Sequence, residues 1–230
     1  MSCATATAQG SSSEARASLR RGNEMYARAE YEAAIREYRR VSAGRGEVYA
    51  QSLYNIGVCH YELGRTAEAI EMYRSAVAAS GGRYPKALYA LGVALEDSGR
   101  WAEAKAAYRR ALEVSGGNYR EAQLAVAQYR LGLLAMRDGD YAGADALFKE
   151  AIARSRQPFP ASHNNLGVAL ALAGRLELAG QQFELALKHT RGDFAEAAHN
   201  LSLCRTALAK GTKTQSASLK VVATITATIE

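Results

Sequence analysis

Apolar residues recur three and four positions apart along most of the chain, the spacing that gathers them on one face of an α-helix. Leu88, Leu91 and Leu95 show it in "ALYALGVALEDSGRWAEAKAAYRRAL", residues 87–112. A glycine, Gly92, interrupts this helical pattern, where it costs about 1 kcal/mol relative to alanine. Something must offset that cost, and a close approach by a second helix does so because the glycine has no side chain to block it. A second glycine, Gly99, falls where the first helix should end and a left-handed residue is wanted. A second helix then carries Ala104 and Tyr108 on one face. The stretch therefore predicts an antiparallel helix hairpin held shut by small residues and one aromatic.

The same arrangement recurs. Gly92 has counterparts at Gly22, Gly57, Gly132 and Gly167, with spacings of 35, 35, 40 and 35 residues. Twelve residues after each glycine comes an alanine: Ala34, Ala69, Ala104, Ala144 and Ala179. Four further on comes an aromatic: Tyr38, Tyr73, Tyr108, Phe148 and Phe183. Four of the five hairpins carry the turn glycine as well, at Gly64, Gly99, Gly139 and Gly174. Repeats of this length mean stacked supersecondary units, each burying its apolar face against its neighbours. The extra residues before the fourth glycine predict a longer first helix there.

The motifs "LYNIGVCH…AIEMY", "LYALGVAL…AKAAY" and "HNNLGVAL…AGQQF" resemble tetratricopeptide repeats. The resemblance covers residues 15–210, with repeats starting near 15, 50, 85, 125 and 160 and a capping helix over 195–210. It departs at the family's tryptophan position, filled here by Ser18, Leu53, Leu88, Gln128 or His163, and at the closing proline. It implies an all-α, right-handed superhelical solenoid of antiparallel hairpins. Ser202 and Arg205, in the last helix, and Arg21, in the first, give the outer faces the polarity of array ends.

Residues flanking this array read differently. The stretch 1–14, "MSCATATAQGSSSE", predicts a disordered segment. Beyond Gly211, "GTKTQSASLKVVATITATIE" loses the helical period, and Thr224, Thr226 and Thr228 alternate with Ile225, Ala227 and Ile229. Residues 211–230 are thus expected to be a flexible or strand-prone tail. A lone strand needs an edge or a groove, and the array offers a groove suited to an extended chain, so the tail is a candidate occupant of it.

The same resemblance implies that the first helix of each hairpin lines a concave groove. There it places Asn23, Tyr26, Tyr54, Asn55, Tyr61, Lys86, Tyr89, Tyr129, Arg130, Asn165 and Asn200 as candidate partner-binding residues. Asparagine carries a donor and an acceptor and can pair with the N–H and C=O of an extended backbone whatever its sequence. Tyrosine adds large amphipathic area at small entropic cost. A protein or peptide partner is the expectation. An alternative is a carboxylate clamp of the co-chaperone type: Asn23, Asn55 and Lys86 match it, but Leu19 and Ala90 stand where cations are needed.

Composition removes other classes. The chain has 29 Lys and Arg against 23 Asp and Glu, a net charge of +6. The charges are interspersed, a solvated surface more than a nucleic-acid stripe, which leaves an RNA-binding helical repeat as the lesser alternative. His60, His163, His189 and His199 form no metal-binding spacing, and "GTKT" lacks the upstream glycine of a phosphate loop. No catalytic residue, metal or cofactor is expected. The three cysteines, Cys3, Cys59 and Cys204, show no paired spacing, and no apolar run reaches membrane-spanning length. A cytoplasmic location is the expectation; the alternative is a lipid anchor on Cys3 or a periplasmic location, should the natural start lie upstream.

Overall fold

The computed structural model describes residues 3–115, 121–212 and 218–223, with backbone alone at 3–11, 45 and 121–122. The described residues are all-α, with eleven α-helices and a short 3-10 turn at Ala43–Arg45. They divide into an N-terminal body, residues 1–118, and a C-terminal body, residues 119–230.

In the N-terminal body, α1 (Cys3–Ala27) pairs with α2 (Tyr31–Tyr38), α3 (Glu47–Glu62) with α4 (Thr66–Ala79), and α5 (Pro85–Asp97) with α6 (Trp101–Glu113). In the C-terminal body, α7 (Glu121–Arg137) pairs with α8 (Tyr141–Arg154), α9 (Pro160–Leu172) with α10 (Leu176–His189), and α11 (Ala195–Lys210) packs on α10 and α9. The fourth first-helix, α7, has 17 residues, whereas α5 and α9 have 13 each. Both α5 and α9 open on a proline, Pro85 and Pro160, at the first helical position, where the missing N–H would have had no intrahelical acceptor.

The repeated glycines explain the pairing. A Cβ on Gly92 would lie 2.5 Å from Tyr108, and one on Gly57, Gly132 or Gly167 would lie 2.5–2.6 Å from Tyr73, Phe148 or Phe183. The aromatic thus seals the glycine of its own hairpin. The partner alanines, Ala34, Ala69, Ala104, Ala144 and Ala179, are all fully buried. Burying an aromatic such as Phe148 or Phe183 contributes about 2–3 kcal/mol, which offsets the glycine penalty. Gly64, Gly99, Gly139 and Gly174 end their helices at φ of 71–79°. In the first hairpin Ala29 takes that place at φ 59°, a conformation in which its Cβ is crowded.

One boundary differs from the sequence expectation. Helix α1 begins at Cys3, so it covers residues 3–14, where a disordered segment was expected. Once a helix is nucleated by packed turns, each added residue costs little, and Ala4, Ala6 and Ala8 favour propagation. The N-terminal core beside it comprises Leu19, Ala34, Ile35, Tyr38, Ile56 and Cys59. Burial pushes the Cys59 thiol up to about 12 and the Cys204 thiol up to about 11, so both are packing residues at neutral pH.

Candidate peptide-binding groove

Helix α9 buries every residue from Ser162 to Ala171, including four polar ones. Buried polar groups need partners, and each of the four has one. Ser162 donates to the Phe148 carbonyl at 3.1 Å, and the His163 Nδ1 meets Gln182 Oε1 at 2.9 Å. The other two, Asn164 and Asn165, look toward the tail.

Residues 218–223 cross the first helices of the C-terminal body in reverse chain order, from α11 past α9 to α7. Asn200, on α11, accepts the Lys220 N–H at 2.8 Å and donates to the Lys220 carbonyl at 2.8 Å. Asn165, on α9, does the same for Val222, at 2.9 and 2.8 Å. Asn164 donates to the Lys220 carbonyl at 3.0 Å, and the Tyr129 hydroxyl donates to the Val222 carbonyl. His199 Nε2 lies 2.9 Å from the Ser218 carbonyl, which it serves as donor. The amides also brace one another: Asn200 donates to Asn164 at 3.0 Å, Asn164 to Asn165 at 3.1 Å, and Asn165 to the Tyr129 oxygen at 2.9 Å. Both amide hydrogens of each asparagine are therefore used. Asn164, Asn165, Asn200 and Tyr129 are all fully buried. Burial also pushes the Tyr129 phenol above its ordinary range, so it stays a donor at any working pH.

Leu219 is the apolar counterpart. It is 9% exposed and belongs to the core cluster of Tyr129, Leu166, Val168 and Leu201. Lys220 and Val221 are exposed and Val222 is half-buried. The chemistry is that of a backbone reader: alternate residues of an extended chain present N–H and C=O on one edge, and the two are matched by an asparagine from each of two successive first-helices.

In the N-terminal body the corresponding residues are arranged differently. Asn23, Tyr26, Tyr54, Asn55 and Lys86 line a cavity of about 210 Å³ together with Tyr38 and Val58. Asn23 Oδ1 accepts from the Tyr38 hydroxyl at 2.8 Å and from Asn55 at 3.1 Å. The Lys86 ammonium lies 4.9 Å from the centre of the Tyr54 ring, a cation–π contact. The Tyr26 hydroxyl reaches Glu62 at 3.4 Å, and burial, with the nearby Glu62 carboxylate, raises its phenol to about 12. Tyr61 and Tyr89 do not join this cavity: Tyr61 donates to Asp97, and Tyr89 packs on Tyr108 at 5.7 Å between ring centres. Leu19 is buried in the core, so the clamp position it occupies holds no cation. Arg130 lies half-buried on α7, beside Tyr129.

Two residues of the C-terminal groove escaped the sequence reading, Asn164 and His199. A signal was present: both fall three residues before the repeat glycine or its Ser202 equivalent, in register with Tyr54, Tyr89 and Tyr129. The alternating stretch from Thr224 onward lies outside the described residues. Residues 220–223 form no regular secondary structure; side chains take the place of a sheet edge.

Stacked hairpins that seal a glycine with an aromatic and present polar side chains from their first helices define a helical-repeat scaffold for protein–protein interaction. The chain belongs to the tetratricopeptide repeat family: three models of that repeat match residues 5–80, 60–129 and 129–193. Among solved structures, MamA is similar at a TM-score of 0.65 with 22% identity, over 77% of this chain and 92% of that one. PilF of Pseudomonas aeruginosa is similar at 0.66 with 20% identity, over 91% and 90% of the two chains. YrrB, described as a tetratricopeptide protein with an unusual peptide-binding site, is similar at 0.65 with 21% identity, over 81% and 91%. At these identities the likeness is one of fold. A search of curated proteins by sequence finds no match. Among the described residues no group of three or more His, Cys, Asp or Glu could hold a metal ion, and no helix is long and apolar enough to cross a membrane.

Proposed function

We propose that the protein is a non-catalytic scaffold that takes an extended segment of a partner protein in the groove of its C-terminal body, with Asn165 and Asn200 reading the segment's backbone. One observation carries this reading: the chain's own residues 218–222 sit there, held by paired amide bonds to Lys220 and Val222. Hydrogen bonds to a backbone do not depend on side-chain identity, so a foreign segment can make the same set. The test is affinity capture with the intact chain, the wild type against an Asn165→Ala, Asn200→Ala variant, with cross-linking to map each captured protein. Partners of the groove cross-link to α9 and α11 and disappear with the variant. A partner set unchanged by the variant would move binding to another face.

A further inference from the structure

The backbone of the tail is held by side chains of the groove, from the Ser218 carbonyl through the paired groups of Lys220 and Val222. This is how a bound ligand is held, not how a helical array is completed. The glycine–aromatic pairs that seal each hairpin do not involve the tail; of its described residues only Leu219 reaches the C-terminal core, as a side chain seated among Tyr129, Leu166 and Leu201. If the tail left, the asparagine amides would face solvent, where water replaces each lost bond.

We propose that residues 218–223 are a built-in ligand of the C-terminal groove, displaced by an external segment of the same pattern. The inference rests on the reading of that groove given above. The tail discloses the pattern. An apolar side chain occupies the Leu219 place, enclosed by the core cluster. The next two side chains, those of Lys220 and Val221, point to solvent and are unrestricted. A second apolar side chain stands half-buried at the Val222 place. The residues in the Lys220 and Val222 places must keep their N–H groups, because Asn200 and Asn165 accept from them, so neither is proline.

Tethering makes the tail an effective competitor. It joins α11 through residues 211–217 alone, and a short tether presents its ligand at an effective concentration on the order of millimolar. An external segment then binds with its intrinsic affinity reduced by the fraction of time the groove is open.

The experiment uses the full chain and a fluorescent peptide of residues 218–223, SLKVVA, in anisotropy titrations. One variant, Lys220→Pro with Val222→Pro, removes both tail donors and leaves the groove untouched; circular dichroism checks that its helices are intact. Expected is binding at least tenfold tighter to this variant than to the wild type. Adding Asn165→Ala and Asn200→Ala to it abolishes binding. A peptide with Leu219→Asp does not bind, while one with Lys220→Ala binds as the parent does. Equal affinity for wild type and proline variant, with the asparagine variant still losing it, overturns the built-in ligand and leaves the groove reading standing. Binding indifferent to the asparagines, or absent from all proteins, overturns both. Full binding of the Leu219→Asp peptide overturns the pattern.

Discussion

The two bodies are built from one repeat yet commit their asparagines to different ends. In the N-terminal body the aromatic at the sealing position is tyrosine, and its hydroxyl faces the polar residues of the first helix: Tyr38 donates to Asn23, and Tyr108 to Glu96 at 2.8 Å. Asn55 then spends an amide hydrogen on Asn23. In the C-terminal body the sealing residues are Phe148 and Phe183, which have no hydroxyl. Its asparagines brace one another and the Tyr129 hydroxyl, and they also hold a backbone. Exposure follows: Asn23 is exposed and Asn55 half-buried, whereas Asn164, Asn165 and Asn200 are fully buried beneath the tail. Equal folds do not make equal grooves.

The largest expected effect is common to both bodies. Gly92→Leu and Gly167→Leu each force a side chain into a ring already 2.5 Å from the Cβ position. Each should destabilise its body by about 3 kcal/mol, read as a lower midpoint in urea denaturation. A body that tolerates the change would show that its seal is not needed.

Asparagine removal should separate the bodies. Asn165→Ala leaves the Val222 N–H and an Asn164 hydrogen without acceptors in a buried network. It should cost about 2 kcal/mol. Asn55→Ala, at a half-buried site where water can replace its bonds to Asn23 and Tyr38, should cost about 0.5 kcal/mol. Equal costs, measured by the same denaturation, would erase the contrast.

Two smaller changes should stabilise. Ala29→Gly relieves the left-handed alanine at φ 59° and should gain about 1 kcal/mol. Gly180→Ala, inside α10, places its Cβ at an ordinary 3.8 Å from Leu201 and should gain about 0.7 kcal/mol through helix propensity. A loss at Gly180 would mean that a repeat glycine and an incidental one cannot be told apart by the space around them.

The smallest effect is pH dependence, with one histidine in each body. Burial lowers the pKa of His60 against the field of Glu68 and Glu32, with Arg65 and Arg39 adding to the lowering. Burial also lowers that of His163, opposed by its Gln182 bond and aided by His189. Each then takes up its proton in the unfolded chain first. Stability from both is fully present above the unfolded value of about 6.5 and declines as pH falls below it. His163→Gln should flatten that decline for the C-terminal body and His60→Gln for the N-terminal one. Denaturation midpoints between pH 5 and 8 would show it, and an unchanged slope would reject the assignment.

Much of this was readable without coordinates, because it is local. Gly92, Ala104 and Tyr108 meet within one hairpin, so their spacing alone announces the close approach, and the turn glycines announce the helix ends. The asparagines of the groove were legible as residue types in a register, since every first helix repeats the same positions. The helix at residues 3–14 was not legible, because propagation from a packed segment overrides weak propensity. Nor was Asn164, because asparagine stands there in a place that three other hairpins fill with tyrosine. What a side-chain amide binds is decided by whatever long-range packing brings within about 3 Å of it. Asn165 meets Tyr129 across 36 residues and Val222 across 57. The sequence by itself determined five sealed hairpins and an array of polar first-helix positions; only the tertiary structure decided that one set of asparagines serves its neighbours alone while the other also grips the chain's own tail.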